Sequence, residues 1–448
     1  MHIVIVGGGD LGRHVASILS KEKQSVILIE SDSQVIQSFS GLDIATRHGS
    51  GTDWQLLDDL LEFSPDLLIA LTGDDDTNLV SCSIAKQLSY PRTIARVRDS
   101  RYTNPTRLDF GRIFDVDFFV GPELLVAHDM LKRLLYPESL NVENFAHGAL
   151  QLRTLLIPMG WRGQAEPLRS FRLPQHVIVS LIKRREGGTV KIIFPHGDDS
   201  IQPGDEVTFI GVTDVIAEIH ELFDIREKAV QSVVIAGGSL TGMHLAQLLA
   251  QRNIDVRLIE KDYERCRLLA EKLPNYTIMH HDATDLDFFH AEKIGQADVF
   301  VACTNNDEIN ILAALLGKEV GCDNTLIVLN NTSYIPIVER LGLQHTISPQ
   351  TSATNHILSQ LYSGKISTLI SLYENQAEVM EITVSPHSKI VGIPLAELGP
   401  YLPKDLLIIM IQNRGRIMIA NGNRVISPGD TVIVVSSPKH VDELGKIF

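Results

Sequence analysis

The sequence predicts an α/β protein with two doubly wound parallel-sheet domains, each followed by a small α+β domain. Three observations support this fold class. The chain has 448 residues, more than the ~250–300 residues that one hydrophobic core usually serves. Short β-branched runs alternate with segments of helical period, which is typical of βαβ units around a parallel sheet. The first half of the chain is also repeated, with small insertions and deletions, in the second half.

The repeat is clearest where each half begins. The chain opens with HIVIVGGGDLGRHVASILSKEKQSVILIESD, and the segment from Ser232 reads SVVIAGGSLTGMHLAQLLAQRNIDVRLIEKD. These segments align without a gap and pair Gly7 with Gly237 and Glu30 with Glu260. Later segments repeat in the same order, including IQPGDEV near the end of the first half and ISPGDTV near the end of the second. Such ordered similarity indicates a duplicated two-domain unit.

In the first parallel-sheet domain, four apolar runs are predicted to be buried strands: Ile3–Val6, Val26–Ile29, Leu67–Leu71 and Thr93–Val97. The predicted helices between them are Leu11–Ser20, Trp54–Leu61 and Asn78–Leu88. An amphipathic helix at Gly121–Leu135 should leave the domain, and its counterpart is Pro349–Leu361. In the small domains, turns at Pro203-Gly204 and Pro428-Gly429 are predicted to join strands. The expected domain limits are 1–135, 140–225, 230–362 and 370–448.

The composition points to a cytoplasmic protein. A net charge of -15 disfavours binding to nucleic acid or to anionic lipid surfaces. The 4 cysteines form no close pair, so neither a disulfide framework nor a zinc site is expected. We expect no signal peptide, and no apolar run approaches the ~20 residues that span a bilayer. Any membrane role should therefore pass through a partner protein.

A Gly7-x-Gly9-x-x-Gly12 motif follows the first predicted strand and begins the first predicted helix. In Rossmann-like domains the first glycine makes a tight turn, the second admits a pyrophosphate, and the third lets helix and strand pack closely. Glu30 ends the next strand, where a carboxylate can bind ribose hydroxyls and would repel a 2′-phosphate, which favours NAD or NADH over NADP(H). The predicted contacts are Gly7, Gly8, Gly9, Asp10, Leu11, Gly12 and Glu30. The alternative is an architectural glycine turn that binds nothing.

The second repeat departs from this motif at one position. Ser239 stands where close approach of a pyrophosphate requires the absence of a side chain. Glu260 is retained, although Lys261 beside it could offset its charge. The candidate contacts are Gly237, Gly238, Ser239, Leu240, Thr241, Gly242 and Glu260. Whether this second site is occupied stays open.

Further polar residues follow strands at the edge where ligands bind to parallel sheets. The candidates in the first repeat are Gly49 and Ser50 near the adenosine, Thr72 and Gly73 towards the ribose or nicotinamide, and Arg96 at a phosphate. Those in the second repeat are Asp282, Ala283 and Thr304. The alternatives are helix caps for Ser50 and Thr72 and a surface ion pair for Arg96. In the second repeat Val328 replaces Arg96, which weakens that site.

No catalytic residue and no metal ligand are predicted. His48, His280 and His281 flank the expected adenosine loops and are interpreted as polar loop residues. The acidic run 74–76 could suggest a metal, but acidic residues also favour helix N-termini, so a helix cap is preferred. The small domains are too short for the substrate domains of ordinary dehydrogenases. A nucleotide fold without evident chemistry indicates a sensor.

At these residues the chain resembles the family of peripheral, NAD-binding components of the Trk potassium-uptake system (TrkA), which contain two potassium-conductance-regulating units. The matching strings are IVIVGGGDLG, ALTGDDDTNL, TIARVRDSRY, VACTNNDEINI and LGLQHTISPQ. The resemblance implies a cytoplasmic regulator that binds NAD(H) or ATP/ADP, forms a homo-oligomer (a dimer or a tetrameric ring), and attaches to the inner face of the membrane through a potassium translocator. It also implies that the glycine motif, Glu30, Thr72 and Arg96 contact the nucleotide. The alternatives are a regulator of another cation channel or antiporter and an NAD-dependent oxidoreductase.

Overall fold

A computed structural model describes residues 1–103, 107–163, 166–187, 189–225, 229–250, 252, 254–343, 345–361, 366–373, 376–403, 405–413, 415–440, 444 and 447–448. Contacts between Cα atoms divide the chain into two compact units. One unit contains Met1–Leu131 and Val230–Ile357, and the other contains Lys132–Ala229 and Leu358–Phe448. The two parallel-sheet domains therefore share one unit, and the two small domains share the other.

The first parallel sheet has six strands in the order β3-β2-β1-β4-β5-β6. The strands are β1 His2–Val6, β2 Ser25–Glu30, β3 Ala45–His48, β4 Leu67–Ala70, β5 Arg92–Arg96 and β6 Phe118–Val120. The helices are α1 Asp10–Lys21, α2 Ser33–Gln37, α3 Trp54–Asp59, α4 Asp75–Gln87, α5 Phe110–Phe114 and α6 Pro122–Leu135. The order reverses between β1 and β4, and such a switch point is where ligands bind in doubly wound sheets.

The strands that carry the sheet are its most apolar segments. β1 and β4 are buried along almost their whole length, and a hydrophobic cluster joins them to α3 and α4. This confirms the four predicted strands. The remaining two strands, β3 and β6, lie at the edges of the sheet. The sequence ATRH of β3 is largely exposed, so it carries no apolar signal.

The first small domain contains a five-stranded antiparallel sheet in the order β10-β9-β11-β8-β7. Its strands are β7 Ser139–Phe145, β8 Leu150–Leu156, β9 Val177–Glu186, β10 Thr189–Ile193 and β11 Glu206–Val212, followed by the short helix α7 Thr213–Ile216. Every pairing between these strands is antiparallel, whereas the sequence predicted a partly antiparallel sheet.

The second parallel sheet repeats the first, with the order β14-β13-β12-β15-β16-β17. Its strands are β12 Ser232–Ala236, β13 Asp255–Glu260, β14 Thr277–His280, β15 Val299–Ala302, β16 Thr325–Val328 and β17 His345–Ile347. Its helices are α8 Leu240–Leu249, α9 Tyr263–Lys272, α10 Leu286–Ala291, α11 Asp307–Glu319, α12 Ile335–Arg340 and α13 Pro349–Leu361. The duplicated α/β architecture predicted from the sequence is confirmed.

The second small domain has the sheet order β18-β19-β22-β20-β21. Its strands are β18 Ile366–Leu372, β19 Ala377–Thr383, β20 Leu406–Asn413, β21 Arg416–Ile419 and β22 Thr431–Ser436. One hydrophobic cluster contains residues of both small domains, which explains why they form a single unit. A partly buried hydroxyl contact between Thr208 Oγ1 and Tyr373 Oη, at 2.6 Å, also joins them. In the part of the chain described, no helix is both long and apolar enough to cross a membrane.

Both predicted Pro-Gly turns are present, and each lies in a loop between consecutive strands. Each precedes a strand, β11 or β22, but the strand before the turn pairs with another strand, so neither turn closes a hairpin. Asp205 is buried and accepts hydrogen bonds from Arg184 Nε at 2.8 Å and Nη2 at 2.7 Å and from the backbone N–H of Gln202 at 2.8 Å. Asp430 likewise accepts from Ser427 N at 2.9 Å and from Asn413. The motif folds a loop around a buried carboxylate.

Candidate nucleotide-binding sites

The first glycine loop connects β1 to α1, and backbone contacts explain two of its glycines. Gly7 has φ +100, and a Cβ there would lie 2.9 Å from the backbone N of Thr72. A Cβ at Gly12, in the first turn of α1, would lie 1.9 Å from Gly7 O. Any side chain at either position would therefore displace backbone. The first and third glycines of the motif are requirements of the fold itself.

The second glycine of the motif has no such structural reason. Gly9 is exposed and precedes α1 with φ -63 and ψ -175, and a Cβ there would meet no atom within 4 Å. No side chain caps α1. The N–H groups of Asp10, Leu11 and Gly12 are among those that a helix leaves without an intrahelical acceptor. An open, uncapped helix N-terminus of this kind binds anions such as a pyrophosphate.

Glu30 holds the glycine loop against β2. Its Oε2 accepts a hydrogen bond from the backbone N–H of Gly8 at 2.6 Å, and its Oε1 accepts from the backbone N–H of Asp32 at 2.9 Å. Partial burial raises the pKa of Glu30, but these backbone hydrogen bonds outweigh it and the pKa is lowered overall. The side chain is therefore an ionised carboxylate that retains lone pairs for ribose hydroxyls.

The other first-repeat candidates lie at the same carboxyl edge of the sheet. Gly49 follows β3 and donates its N–H to Glu30 O at 3.0 Å. The Ser50 hydroxyl lies 2.8 Å from the hydroxyl of Thr52, whereas Asp53 caps α3. The alternative of a helix cap at Ser50 is therefore wrong.

The alternative of a helix cap at Thr72 is wrong for a similar reason. Asp74 caps α4, as the reading of the acidic run as a helix cap proposed. Thr72 Oγ1 instead donates to Asn78 Oδ1 at 2.8 Å. The adjacent Gly73 is open, since a Cβ there would meet no atom within 4 Å.

Asn78 organises this edge and was not among the predicted site residues. It is fully buried, and its Nδ2 donates to Thr72 O at 3.1 Å and to Arg96 O at 3.0 Å, while its Oδ1 accepts from Thr72 N at 2.9 Å. The side chain thus connects the ends of β4 and β5. Asn310 makes the same bonds to Thr304 and Val328. The signal in the sequence was the asparagine that ends both repeated strings, TGDDDTN and TNNDEIN.

Arg96 forms an ion pair, but the pair is not on the surface. Its Nη2 lies 3.4 Å from Glu123 Oε1, and the two side chains are 20% and 17% exposed. Arg98 Nε approaches the same oxygen at 3.3 Å. Glu123 lies in the first turn of α6, the helix that leaves the domain. Arg96 therefore connects the end of β5 to α6.

The second glycine loop, between β12 and α8, has the same backbone and a different surface. Gly237 has φ +115, and a Cβ at Gly242 would lie 2.1 Å from Gly237 O. Glu260 Oε2 accepts from Gly238 N at 2.8 Å, as Glu30 does from Gly8. Ser239, however, caps α8: its Oγ accepts from Gly242 N at 3.3 Å and donates to Cys303 O at 2.7 Å. Leu240 and Thr241 follow in the first turn of the helix.

A cleft of about 1390 Å³ opens over this second loop. The second domain lines it with the glycine loop, Glu260, Asp282, Ala283 and Thr304, and the first domain contributes segments 73–75 and 98–101. Hydrogen bonds from the side chain and backbone of Thr284 lower the pKa of Asp282, which keeps it ionised. His281 hydrogen-bonds Asp285 at 2.8 Å and stacks on Phe288, as expected for a polar loop residue.

The comparisons with known proteins agree with this arrangement. TrkA-N domain models match residues 3–109 and 233–349, and TrkA-C domain models match residues 166–224 and 379–448. The chain is 30% identical to Trk system potassium uptake protein TrkA homolog 1 of Methanosarcina mazei, over 100% of both chains. It is 29% identical to Trk system potassium uptake protein TrkA of Haemophilus influenzae, over 100% of this chain and 98% of the other. The solved GsuK channel bound to NAD has a TM-score of 0.62 at 17% identity, covering 99% of this chain and 78% of that chain, which shows a shared fold.

The fold and the matched segments define a protein with two consecutive TrkA-N/TrkA-C units, each containing a Rossmann-like sheet with a glycine loop. The chain belongs to the TrkA family of Trk-system potassium uptake proteins. This confirms the resemblance inferred from the sequence.

Proposed function

We propose that this protein is the nucleotide-binding regulatory subunit of a membrane potassium-uptake system, and that it docks on the translocator and gates it. The observation that carries the proposal is the open N-terminus of α1 beside the ionised Glu30 carboxylate, in a chain of the TrkA family. The relatives are named potassium uptake proteins. No helix among the described residues is long and apolar enough to cross a membrane.

NAD or NADH is the ligand that the first site fits best. Pyrophosphate would lie on the N-terminus of α1, and Glu30 would accept hydrogen bonds from the adenosine ribose hydroxyls. A 2′-phosphate would meet the Glu30 carboxylate, which disfavours NADP(H). A related fold, the GsuK channel, has been solved with NAD bound. ATP and ADP share the adenosine and phosphates, so they are the competing ligands of the same site.

Regulation requires the ligand to favour one arrangement of the protein over another. Arg96 is suited to this role because it ends β5 at the ligand edge and pairs with Glu123 on α6. A ligand phosphate would compete with Glu123 for the Arg96 guanidinium. The consequence would be a shift of α6, the helix that carries Glu123.

The environment of two buried cysteines argues against thiolate chemistry at these residues. Burial raises the pKa of the Cys303 thiol to about 12 and that of Cys322 to about 11, so neither supplies a thiolate near neutral pH. The acidic residues at the loop ends are helix caps or hydrogen-bond acceptors for backbone. A substrate-dependent turnover of NADH by the pure chain would support the oxidoreductase instead.

We further propose that the protein works as a homo-oligomer, a dimer or a tetrameric ring, at the cytoplasmic face of the membrane. Equivalent helices of both repeats expose apolar side chains in the single chain. Those of the first repeat include Val80 and Ile113, and those of the second include Leu312 and Ile337. Exposed apolar surface of this kind is typical of subunit interfaces.

The test is reconstitution of the purified chain with its potassium translocator in liposomes. We expect the chain to bind the translocator and NADH or ATP to change potassium flux. A Gly9→Asp variant, whose carboxylate would occupy the phosphate position, should bind the translocator but lose the nucleotide response. If the chain fails to associate with the potassium translocator but associates with another cation channel or antiporter, the alternative regulator is correct.

A further inference from the structure

We infer that the two glycine loops are not equivalent, and that Ser239 limits the chain to one dinucleotide, bound at the first loop. This inference rests on the proposed function, because it assumes that the first loop binds the dinucleotide. Ser239 acts as a specificity-determining residue: its side chain occupies the position that a pyrophosphate needs.

The second loop satisfies its own polar groups. Ser239 Oγ accepts from Gly242 N at 3.3 Å, and it donates to Cys303 O at 2.7 Å. The hydroxyl is therefore held both as a donor and as an acceptor. As an acceptor, it takes the position that a phosphate oxygen would occupy. Arg265 Nε adds a third constraint by donating to Gly238 O at 2.7 Å. A phosphate has two ways to bind here. It could displace the serine hydroxyl, or it could bind without a hydrogen bond from the N–H of Gly242, which would stay with the serine.

The first loop has none of these three contacts. α1 has no side-chain cap, and the space outside Gly9 is empty to 4 Å. The position equivalent to Arg265 is Val35, which has no donor. Gly9 is exposed, whereas Ser239 is partly covered. The backbone dihedrals of the two residues are nearly identical, φ -63 and ψ -175 against φ -61 and ψ 172. The loops therefore differ in the side chains of Ser239 and Arg265 and not in backbone conformation.

The second site keeps its acidic residue and its cleft, which makes the serine the change to test. Glu260 accepts a hydrogen bond from the second loop as Glu30 does from the first, and Asp282 and Ala283 line the cleft over the second loop. Removing the serine side chain should therefore create a second functional site. Installing a serine in the first loop should close the first, since Gly9 can accept a Cβ without strain.

The experiment exchanges the two residues and measures NADH binding to the full-length chain by calorimetry. We expect one equivalent per chain for the wild type and two for Ser239→Gly. Gly9→Ser should weaken the first site at least about tenfold, the factor that corresponds to one hydrogen bond to a charged group. Glu30→Ala in the wild type, and Glu260→Ala in the Ser239→Gly variant, locate each equivalent.

Two equivalents in the wild type would overturn the inference, and so would a single equivalent in Ser239→Gly. Retention of the wild-type equivalent in Glu30→Ala and its loss in Glu260→Ala would also overturn it, by assigning the ligand to the second loop. Thermal unfolding of each variant without ligand shows whether it is folded. If neither loop binds NADH, NAD, ATP or ADP in the wild type or in Ser239→Gly, the nucleotide-binding part of the proposed function fails together with this inference.

Discussion

Substitution of two glycines in the first loop should have different effects: Gly12→Ala should lower stability, and Gly9→Ala should weaken ligand binding. In Gly12→Ala the new Cβ would lie 1.9 Å from Gly7 O. Ordinary contacts of this type exceed 3.0 Å, so backbone of β1 or α1 must move by at least about 1 Å. Overpacking of this kind costs ~1–3 kcal/mol, occasionally more. In Gly9→Ala the Cβ meets no atom within 4 Å and φ is -63. That change should leave the free energy of unfolding unchanged or raise it by a few tenths of a kcal/mol.

Urea denaturation followed by circular dichroism measures the free energy of unfolding. Calorimetric titration with NADH measures ligand binding. Gly12→Ala should lower the midpoint of the first unfolding transition, and Gly9→Ala should keep the midpoint while weakening binding. Equal stability of Gly12→Ala and the wild type would refute the steric reasoning. Unchanged NADH affinity in Gly9→Ala would refute the assignment of the pyrophosphate to this loop.

Three further changes test other parts of the structure. Asn78→Ala leaves buried backbone groups of Thr72 and Arg96 without partners, so urea denaturation should show a loss of roughly 3 kcal/mol; a loss below ~1 kcal/mol would contradict this account. Asp205→Ala leaves the Arg184 charge unpaired in a partly buried position, so it should lower the free energy of unfolding by up to ~3 kcal/mol. This loss should exceed that of Asp430→Ala, because the side-chain partner of Asp430 is the neutral Asn413; equal losses would refute the comparison. Because the pKa of Glu30 is lowered in the folded protein, its stabilisation is complete above the unfolded pKa and is lost as pH falls through the folded pKa. Glu30→Gln should therefore lose less thermal stability than the wild type between about pH 5 and pH 3; parallel pH profiles of the two proteins would argue against this.

The two repeats differ at the second glycine of the motif. Both loops keep the first and third glycines, because their absent side chains leave room for backbone that the fold requires. The second glycine is free to change once one copy no longer needs a pyrophosphate. Ser239 accepts a hydrogen bond from a backbone N–H at the start of α8, whereas no side chain caps α1 after Gly9. A copy that loses the ligand can therefore gain a helix cap.

Much of this protein follows from its sequence alone. The apolar strands β1, β2, β4 and β5, the helices between them, and the glycine motif beside Glu30 all have local signals, because buried strands must be apolar and tight turns need glycine. The repeat predicted that the same architecture occurs twice. The family followed from motifs in a fixed order.

Other features depend on residues that are distant in sequence, so no local pattern could show them. The edge strand β3 is polar and forms only because it pairs with β2. The donors of Asn78 reach two different strands, and Arg96 pairs with a helix 27 residues further along the chain. The cap at Ser239 depends on Cys303 at the end of β15, a contact that exists only once the sheet is assembled. Residue types and periodicity therefore determined the elements and the family, whereas the assembled sheet decided which polar groups remain free to bind a ligand.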